Sequence, residues 1–263
     1  MSIPDTEAAR TLGPDRRQQM LELIYRLGSV HVEELSEHFG ISKVTVRADL
    51  DQLAERDLVA RARGGAVSLP GQTMTAALSE RSAQNKQVKR RIAQAAAELL
   101  RPNETIILDA GSTVYRLSRL ITQGEGLTVV TPALNVATQL GGIPGVDVIL
   151  VGGHLNPRDA SVTGAMAEYN ILEMPAHRAF LGAHGIDTYG DIVDVSQDVA
   201  RVKRAMVRAA NEVILLADSS KWGVAARSKV IEMSAITTVI TDDGISDDAR
   251  RAIEAAGAQL VLA

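Results

Sequence analysis

The order of hydrophobic and polar positions divides the chain into two regions. The first has the 3.6-residue periodicity of amphipathic helices and ends in a short alternating segment. The second alternates short β-rich segments with helical ones. Between them, the segment SLPGQTMTAALSE has the Ser, Pro, Gly and Thr content of a linker. We therefore expect a small domain over residues 14–70 and a larger one over residues 80–263.

Three helices are predicted in the first region. Their hydrophobic stripes run through DRRQQMLELIYRLG, through the shorter VEELSEHF and through SKVTVRADLDQLAER. A glycine turns the chain between the second and third helices, and Ser42 is a good N-cap for the third. Two helices joined by a glycine turn predict a helix-turn-helix, although a plain three-helix bundle fits the same spacing.

The segment after the third helix favours the helix-turn-helix. LVARARGGAVSL alternates around Gly64 and Gly65, which is a hairpin signal and predicts a wing. Arg61 and Arg63 are expected to point outward from this wing. A helix-turn-helix followed by a basic hairpin is typical of a DNA-binding domain.

Charge supports the same interpretation. Lys43 and Arg47 lie one turn apart at the start of the third helix, where the helix dipole also favours phosphate. The acidic residues are expected away from that surface: Glu33, Glu34 and Glu37 on the second helix, and Asp51, Glu55 and Asp57 near the far end of the third.

The stretch from RRQQMLEL to RARGGAV resembles the DeoR-type winged helix-turn-helix along its whole length. The run ISKVTVRADLDQL, followed by a short loop and a basic double-glycine wing, carries the likeness. The resemblance implies operator DNA as a partner. It places DNA contacts on Ser42, Lys43, Thr45, Arg47, Arg61 and Arg63.

The second region contains seven predicted strands. They lie in TIILDAG, LTVVTPA, VDVILVGG, AFLGAHGID, EVILLA, TTVITDDG and AQLVLA, with helical segments between most of them. Strands that alternate with helices predict an α/β domain with a doubly wound, mostly parallel sheet.

Ligands of such sheets bind beyond the carboxyl ends of the strands, where polar residues of this chain gather. The turn DAGSTV joins a strand to a helix start, whose N–H groups suit an anion. Each of these features also has an interpretation without a ligand. A glycine turn can serve packing alone, Asp218 can cap a helix or loop, and Lys203 can lie on a solvated helix surface. Backbone amides and lysines would bind a phosphate, and carboxylates would bind the hydroxyls of a sugar. The candidate effector-binding residues are Asp109, Gly111, Ser112, Thr113, Thr131, Asn135, Gly152, Gly153, Asp187, Lys203, Asp218 and Lys221.

The second region resembles the DeoR C-terminal sensor domain from about residue 80 to the end. The matching pieces are ILDAGSTV, VVTPALNVA, VILVGGHL, VSQDVARVKRAM and LLADSSKWG. The resemblance implies a fold related to ribose-5-phosphate isomerase and glucosamine-6-phosphate deaminase. The chain departs from the family pattern in its first loop, Gly-Ser-Thr-Val instead of Gly-Thr-Thr-Thr, in Thr-Pro instead of Thr-Asn, and at Asp198, where Glu is usual. The segment GGHLNPRDASVTGAMAE is most similar to the amino-sugar and hexitol repressors.

Composition excludes several other classes. The chain has no cysteine, which rules out disulfides and thiolate metal sites and suits the cytoplasm. Its five histidines show no metal-ligand spacing, so neither a metal nor another cofactor is expected. No apolar run reaches the roughly 18 residues of a membrane span. The net charge of −4 gives no global sign of nucleic-acid binding, so a DNA site must come from local charge.

The residues alone are compatible with three functions. The chain is a repressor that a phosphorylated sugar releases, a sugar-phosphate isomerase or deaminase fused to a DNA-binding module, or an architectural protein with an inert α/β domain. The run VDVSQDVARVK lacks the Gly-rich approach to the catalytic Lys and Glu of the isomerases, which disfavours an enzyme. Polar groups at so many strand ends disfavour an inert domain. The family resemblance implies a repressor of sugar catabolism that forms a homodimer or homotetramer.

Overall fold

The computed structural model describes residues 13–55, 58–68, 84–156 and 159–263. The chain divides into two compact units, Met1–Ala76 and Ala77–Ala263. Most of the predicted linker lies outside the described residues. Within the described ranges, no helix combines the length and the apolar character that crossing a membrane requires.

The first unit is a winged helix-turn-helix. Its strands form an antiparallel sheet in the order β1-β3-β2, and the β2–β3 hairpin of that sheet makes the wing. Strand β1 has only three residues, too few to give a periodicity that sequence reading can detect. The elements are α1 (Gly13–Leu27), β1 (Ser29–His31), α2 (Val32–Phe39), α3 (Lys43–Glu55), β2 (Val59–Ala62) and β3 (Gly65–Ser68).

The predicted stripes of the three helices form the core of this unit. Met20 and Ile24 of α1, and Leu35 of α2, are fully buried. The inner face of α3 also carries a charge, because Asp49 is buried and accepts hydrogen bonds at 2.7 Å from Arg16 Nε and at 3.2 Å from Arg17 Nη1. Two arginines therefore fasten α1 to the inner face of α3.

The two glycines of the wing have different tasks. The hairpin turn is Arg63-Gly64, one residue earlier than the predicted Gly64-Gly65. Gly64 supplies the positive φ of 83° that the turn needs. Gly65 already belongs to β3, and a Cβ on it would lie 1.9 Å from the carbonyl oxygen of Val30 in β1. Only glycine permits this approach of the two strands.

The second unit is built on a seven-stranded sheet whose neighbouring strands all run parallel. The seven predicted strands are confirmed as its members, and they line up in the order β15-β14-β12-β9-β4-β5-β6. Their bounds are β4 (Thr105–Leu108), β5 (Leu127–Thr131), β6 (Val146–Leu150), β9 (Ala176–Gly182), β12 (Ala210–Leu216), β14 (Thr238–Thr241) and β15 (Gln259–Leu262).

Helices cover both faces of this sheet, as a doubly wound sheet requires. Each face has its own buried cluster, one built on α4 to α6 and the other on α7 to α9. The helices are α4 (Lys86–Ala97), α5 (Ser112–Ser118), α6 (Leu134–Leu140), α7 (Ala165–Leu172), α8 (Gln197–Ala209) and α9 (Asp247–Ala255). Ala133 is the N-cap of α6.

Several shorter strands lie outside the seven-stranded sheet, and sequence analysis missed them. A hairpin joins β7 (His154–Asn156) and β8 (Ser161–Thr163). A small antiparallel sheet contains β10 (Gly185–Ile186), β11 (Ile192–Asp194) and β13 (Ser228–Ile231). Strands of two to four residues leave no detectable alternation, and their pairing partners are distant in sequence.

Candidate functional site

The start of helix α3 carries four of the six predicted DNA-binding residues, which are Ser42, Lys43, Thr45 and Arg47. Ser42 caps the helix, since its Oγ accepts a hydrogen bond of 3.1 Å from the backbone N–H of Thr45. Lys43 and Arg47 are exposed. Val44 is 72% exposed between them, and sequence analysis missed it. Basic, polar and apolar groups thus share the face that a recognition helix would present to base edges.

The expected segregation of charge was wrong in two places. Glu33 of α2 lies 2.9 Å from the ammonium of Lys43, and Asp51 of α3 lies 2.9 Å from Nε of Arg61. These pairs are solvent-exposed, so each contributes little and can be exchanged for a phosphate contact. Arg61 also donates to the carbonyl oxygen of Gly65 at 2.8 Å, which orients it along the wing.

The effector candidates centre on the point where the strand order reverses. Strands β5 and β6 lie on one side of β4, whereas β9 and the later strands lie on the other. In such sheets the crevice at this reversal, beyond the carboxyl ends, is where ligands bind. Asp109 follows β4, and Gly182 ends β9 beside it.

A buried ion pair occupies this point. Lys203 of α8 pairs with Asp109 and also donates to the carbonyl oxygen of Gly182 at 2.7 Å. The backbone N–H of Gly182 in turn donates to Asp109 at 2.9 Å, and that of Ala110 donates to the other carboxylate oxygen at 2.8 Å. Burial raises the pKa of Asp109, against the opposing effect of Lys203 and the two amides. The main-chain role of Gly182 could not be found from sequence, because any residue offers the same backbone groups.

The turn next to this ion pair is open. Gly111 is the N-cap of α5 with a φ of 142°, and a Cβ on it would meet no atom within 4 Å. Among the residues that the structure describes, no side chain caps the helix there. Ser112 and Thr113, both mostly buried, begin the helix. Open space, uncapped amides and two hydroxyls therefore lie beside the Asp109–Lys203 pair.

The two candidates near the end of β5 differ in their contacts. Thr131 donates to the carbonyl oxygen of Leu108 at 2.7 Å and accepts from the N–H of Ala133 at 3.0 Å, so its hydroxyl ties β4 to β5. The amide atoms of Asn135 are buried, yet they have no hydrogen-bond partner among the described residues. A buried amide of this kind is a candidate for ligand contact.

Three further candidates have local structural contacts. Gly152 donates its N–H to Oδ1 of Asn170 at 3.1 Å. Gly153 leads into the β7–β8 hairpin, where a Cβ would lie 2.6 Å from a carbonyl oxygen of β8. Asp187 accepts from the N–H groups of Tyr189 and Asp191 within the turn between β10 and β11. Their assignment to the effector stays a prediction.

The loop after β12 contains the last two candidates. Asp218 caps a single 3₁₀ turn, Ser219–Lys221, and is buried against Lys89 of α4. Lys221 is half-buried and forms no ion pair within the part of the chain that the structure describes. The ranges described also contain no group of three or more His, Asp or Glu residues that could hold a metal ion.

Comparison with known proteins identifies both units. The model of the DeoR-like helix-turn-helix domain matches residues 16–72, and that of the DeoR C-terminal sensor domain matches residues 84–243. The chain belongs to the DeoR family. DeoR-family proteins with these two domains are DNA-binding transcriptional regulators, so the prediction of a regulator, not an enzyme, is confirmed.

Relatives match this DeoR-family chain over nearly its whole length. It is 34% identical to the glycerol-3-phosphate regulon repressor of Escherichia coli K12, over 86% of this chain and 90% of that protein. It is 31% identical to the uncharacterized HTH-type transcriptional regulator YulB of Bacillus subtilis, over 91% and 93%. It is also 32% identical to the regulator GlpR of Haloferax volcanii, over 95% and 98%.

A solved structure resembles part of the chain. The ribose 5-phosphate isomerase A of Methanocaldococcus jannaschii is 17% identical over 53% of this chain and 55% of that one, with a TM-score of 0.39. A likeness this distant supports no conclusion about activity.

Proposed function

We propose that this chain represses a sugar-catabolism operon in the cytoplasm and that a phosphorylated sugar releases it from its operator. The observation that carries the proposal is the open Gly111 turn beside the buried Asp109–Lys203 pair, at the reversal point of the sheet. A ligand there would meet uncapped amides, hydroxyls and a carboxylate within one crevice. These groups suit a phosphate joined to a polyol.

The geometry changes the role expected for Lys203. Two of the three donors of its ammonium already serve Asp109 and Gly182, and its charge is balanced by Asp109. We therefore assign the phosphate to the amides and hydroxyls of Ser112 and Thr113, with Lys221 as a candidate cation. The Asp109–Lys203 pair would instead orient sugar hydroxyls.

DNA recognition would use the exposed face of α3 in the major groove and the wing on the backbone. One helix-turn-helix reads one half-site, so we infer that the chain acts as a homodimer or homotetramer. Sedimentation at micromolar concentration tests this inference, and a monomer that still binds a two-half-site operator with full affinity would contradict it.

Release from DNA is tested with an operator selected from random duplexes by the wild-type protein. Sugars and polyols, each with and without phosphate, are added to the complex in a gel shift. The phosphorylated member of one pair should release the protein, whereas its partner should not, because charge-assisted hydrogen bonds are about twice as strong as neutral ones. Equal release by both members would contradict the phosphate site.

Ser112→Ala tests the residues of the crevice. This variant should bind the operator normally but need about tenfold more ligand for release, since one hydroxyl contact to a charged group contributes roughly 1.5–3 kcal/mol. Thr138→Ala, at an exposed position of α6, is the matched control and should behave as wild type. The emission of Trp222, the single tryptophan, gives a direct binding signal from the loop after β12.

A further inference from the structure

A second polar cavity lies outside this crevice, where the start of helix α8 faces strand β13. Its volume is about 500 Å³, and it opens to solvent. None of the described residues that line it is acidic. They are Val195, Gln197, Arg204, Arg227, Ser228 and Lys229.

The wall of this cavity is held in place by specific contacts. Arg204 is half-buried, and its Nη1 donates to the carbonyl oxygen of Lys229 at 2.7 Å, so the guanidinium is fixed before any ligand arrives. The ammonium of Lys229 lies 2.7 Å from Asp191 and 3.1 Å from Glu232. Its charge is therefore balanced by carboxylates that do not line the cavity.

The unbalanced positive charge belongs to two arginines. Arg227 is exposed, and within the described ranges it forms no ion pair. Arg204 offers its remaining donors toward the same space. Arg201 and Arg208 are exposed on the same face of α8, because the spacing 201, 204, 208 follows the helical period. The chain as a whole has a net charge of −4, so this positive face is a local feature.

We propose that this cavity is a second anion site, which binds a small molecule that carries a phosphate group. Guanidinium groups present paired donors that match phosphate oxygens, and Gln197 and Ser228 add neutral polar groups for the rest of the molecule. The volume lies within the roughly 300–1,000 Å³ of small-molecule sites. A DNA backbone is convex and would not enter such a cavity, which favours a small ligand.

Helix α8 links this cavity to the crevice at the reversal point. Lys203 and Arg204 are consecutive, and Lys203 holds Asp109 while Arg204 forms the wall of the cavity. An anion that binds Arg204 acts on the same helix turn that positions the Asp109–Lys203 pair. The second site is therefore placed to tune the response to the first, although its existence does not depend on the proposed effector.

The test is calorimetric titration of the full-length protein with inorganic pyrophosphate, at fixed ionic strength. The variants are Arg227→Gln, which removes an unpaired cation of the cavity, and Arg208→Gln, which removes an equally exposed cation of α8 that does not line it. Ser112→Ala reports on the crevice. Thermal unfolding of each variant without ligand establishes that the fold is intact.

Arg227→Gln should weaken saturable pyrophosphate binding by about tenfold, the effect of losing one charge-assisted contact. Arg208→Gln and Ser112→Ala should retain the Arg227-dependent binding within about twofold. Equal weakening by Arg227→Gln and Arg208→Gln would show only diffuse attraction and overturn the proposal. Loss in Ser112→Ala alone would place the anion in the crevice and would equally overturn it. Absence of saturable binding in the wild type would do the same.

Discussion

The ammonium of Lys89 lies 3.8 Å from Oδ2 of Asp218, and both side chains are almost completely removed from solvent. Nδ2 of Asn85 donates to the other oxygen of Asp218 at 2.9 Å, and Lys89 donates to the carbonyl oxygen of Gln84 at 2.9 Å. The first turn of α4 is thereby tied to the loop that follows β12. A buried cation and anion, each with further hydrogen bonds, fix this junction.

Breaking this pair should destabilise the second unit. Asp218→Asn leaves the charge of Lys89 buried without its partner, so we expect a loss of about 3 kcal/mol in the free energy of unfolding. Urea denaturation at neutral pH measures this loss. Asp243→Asn, at an exposed position, is the control and should change stability by less than about 0.5 kcal/mol.

The cost of Asp218→Asn should depend on pH. Burial raises the pKa of Asp218, but the hydrogen bonds from Ser220 and Asn85 and the charge of Lys89 outweigh it and lower that pKa. Such a carboxyl stabilises the fold above its unfolded-state pKa of about 3.9, and this contribution is lost as the pH falls through the folded-state pKa. The difference between wild type and variant should therefore shrink below about pH 4. A constant difference from pH 6 to pH 3 would contradict the assignment.

Arg47 and Arg63 should differ in what they contribute to DNA binding. If Arg47 contacts a base edge, Arg47→Ala should cost about 1–3 kcal/mol on the operator and little on scrambled DNA. Arg63 lies in the wing turn, so Arg63→Ala should weaken both DNAs equally and reduce the salt dependence by about one ion. Fluorescence anisotropy at several salt concentrations separates the two, and an unchanged specificity ratio in Arg47→Ala would refute its base contact.

We expect Val44 to contact the methyl group of a thymine in the operator. Its side chain is 72% exposed at the start of α3, and apolar contact with the 5-methyl group of thymine is a known means of base recognition. Replacing the contacted thymine by uracil should weaken wild-type binding by about fourfold, the effect of one buried methyl group of about 0.8 kcal/mol. Val44→Ser should bind both operators equally. Val195→Ser, exposed in the second unit, should keep the wild-type preference.

Replacing the two wing glycines should destabilise the first unit for different reasons. Gly65→Ala forces a Cβ against the carbonyl of Val30, so β1 and β3 must separate at a cost of about 3 kcal/mol. Gly64→Ala only strains a turn with positive φ, at about 1–2 kcal/mol. Hydrogen exchange of backbone amides in residues 29–68 should show lost protection in the first variant and modest change in the second. Equal protection in both would argue against the strand contact.

Sequence pattern was sufficient for the large elements and insufficient for the contacts between them. The stripe through Met20 and Ile24 and the seven buried strands follow from periodicity, because each is set by residues close together in the chain. Asp49 and Lys89 could not be recognised, since a charged residue in a helix normally faces solvent and their partners are distant in sequence. The ligand crevice at the strand ends stays a prediction from the sequence, whereas the pairing of Asp109 with Lys203 required the fold.

The anchoring of α3 through Asp49 has an evolutionary consequence. Arg16 and Arg17 hold the helix through Asp49 on its inner side, so this anchor does not involve the side chains of the outer face. If Val44 and Arg47 contact the operator, substitutions there would alter which operator is recognised while the scaffold stays intact. The amino-acid sequence of the exposed face of α3 can therefore diverge toward new operators faster than the sequence of the domain that supports it.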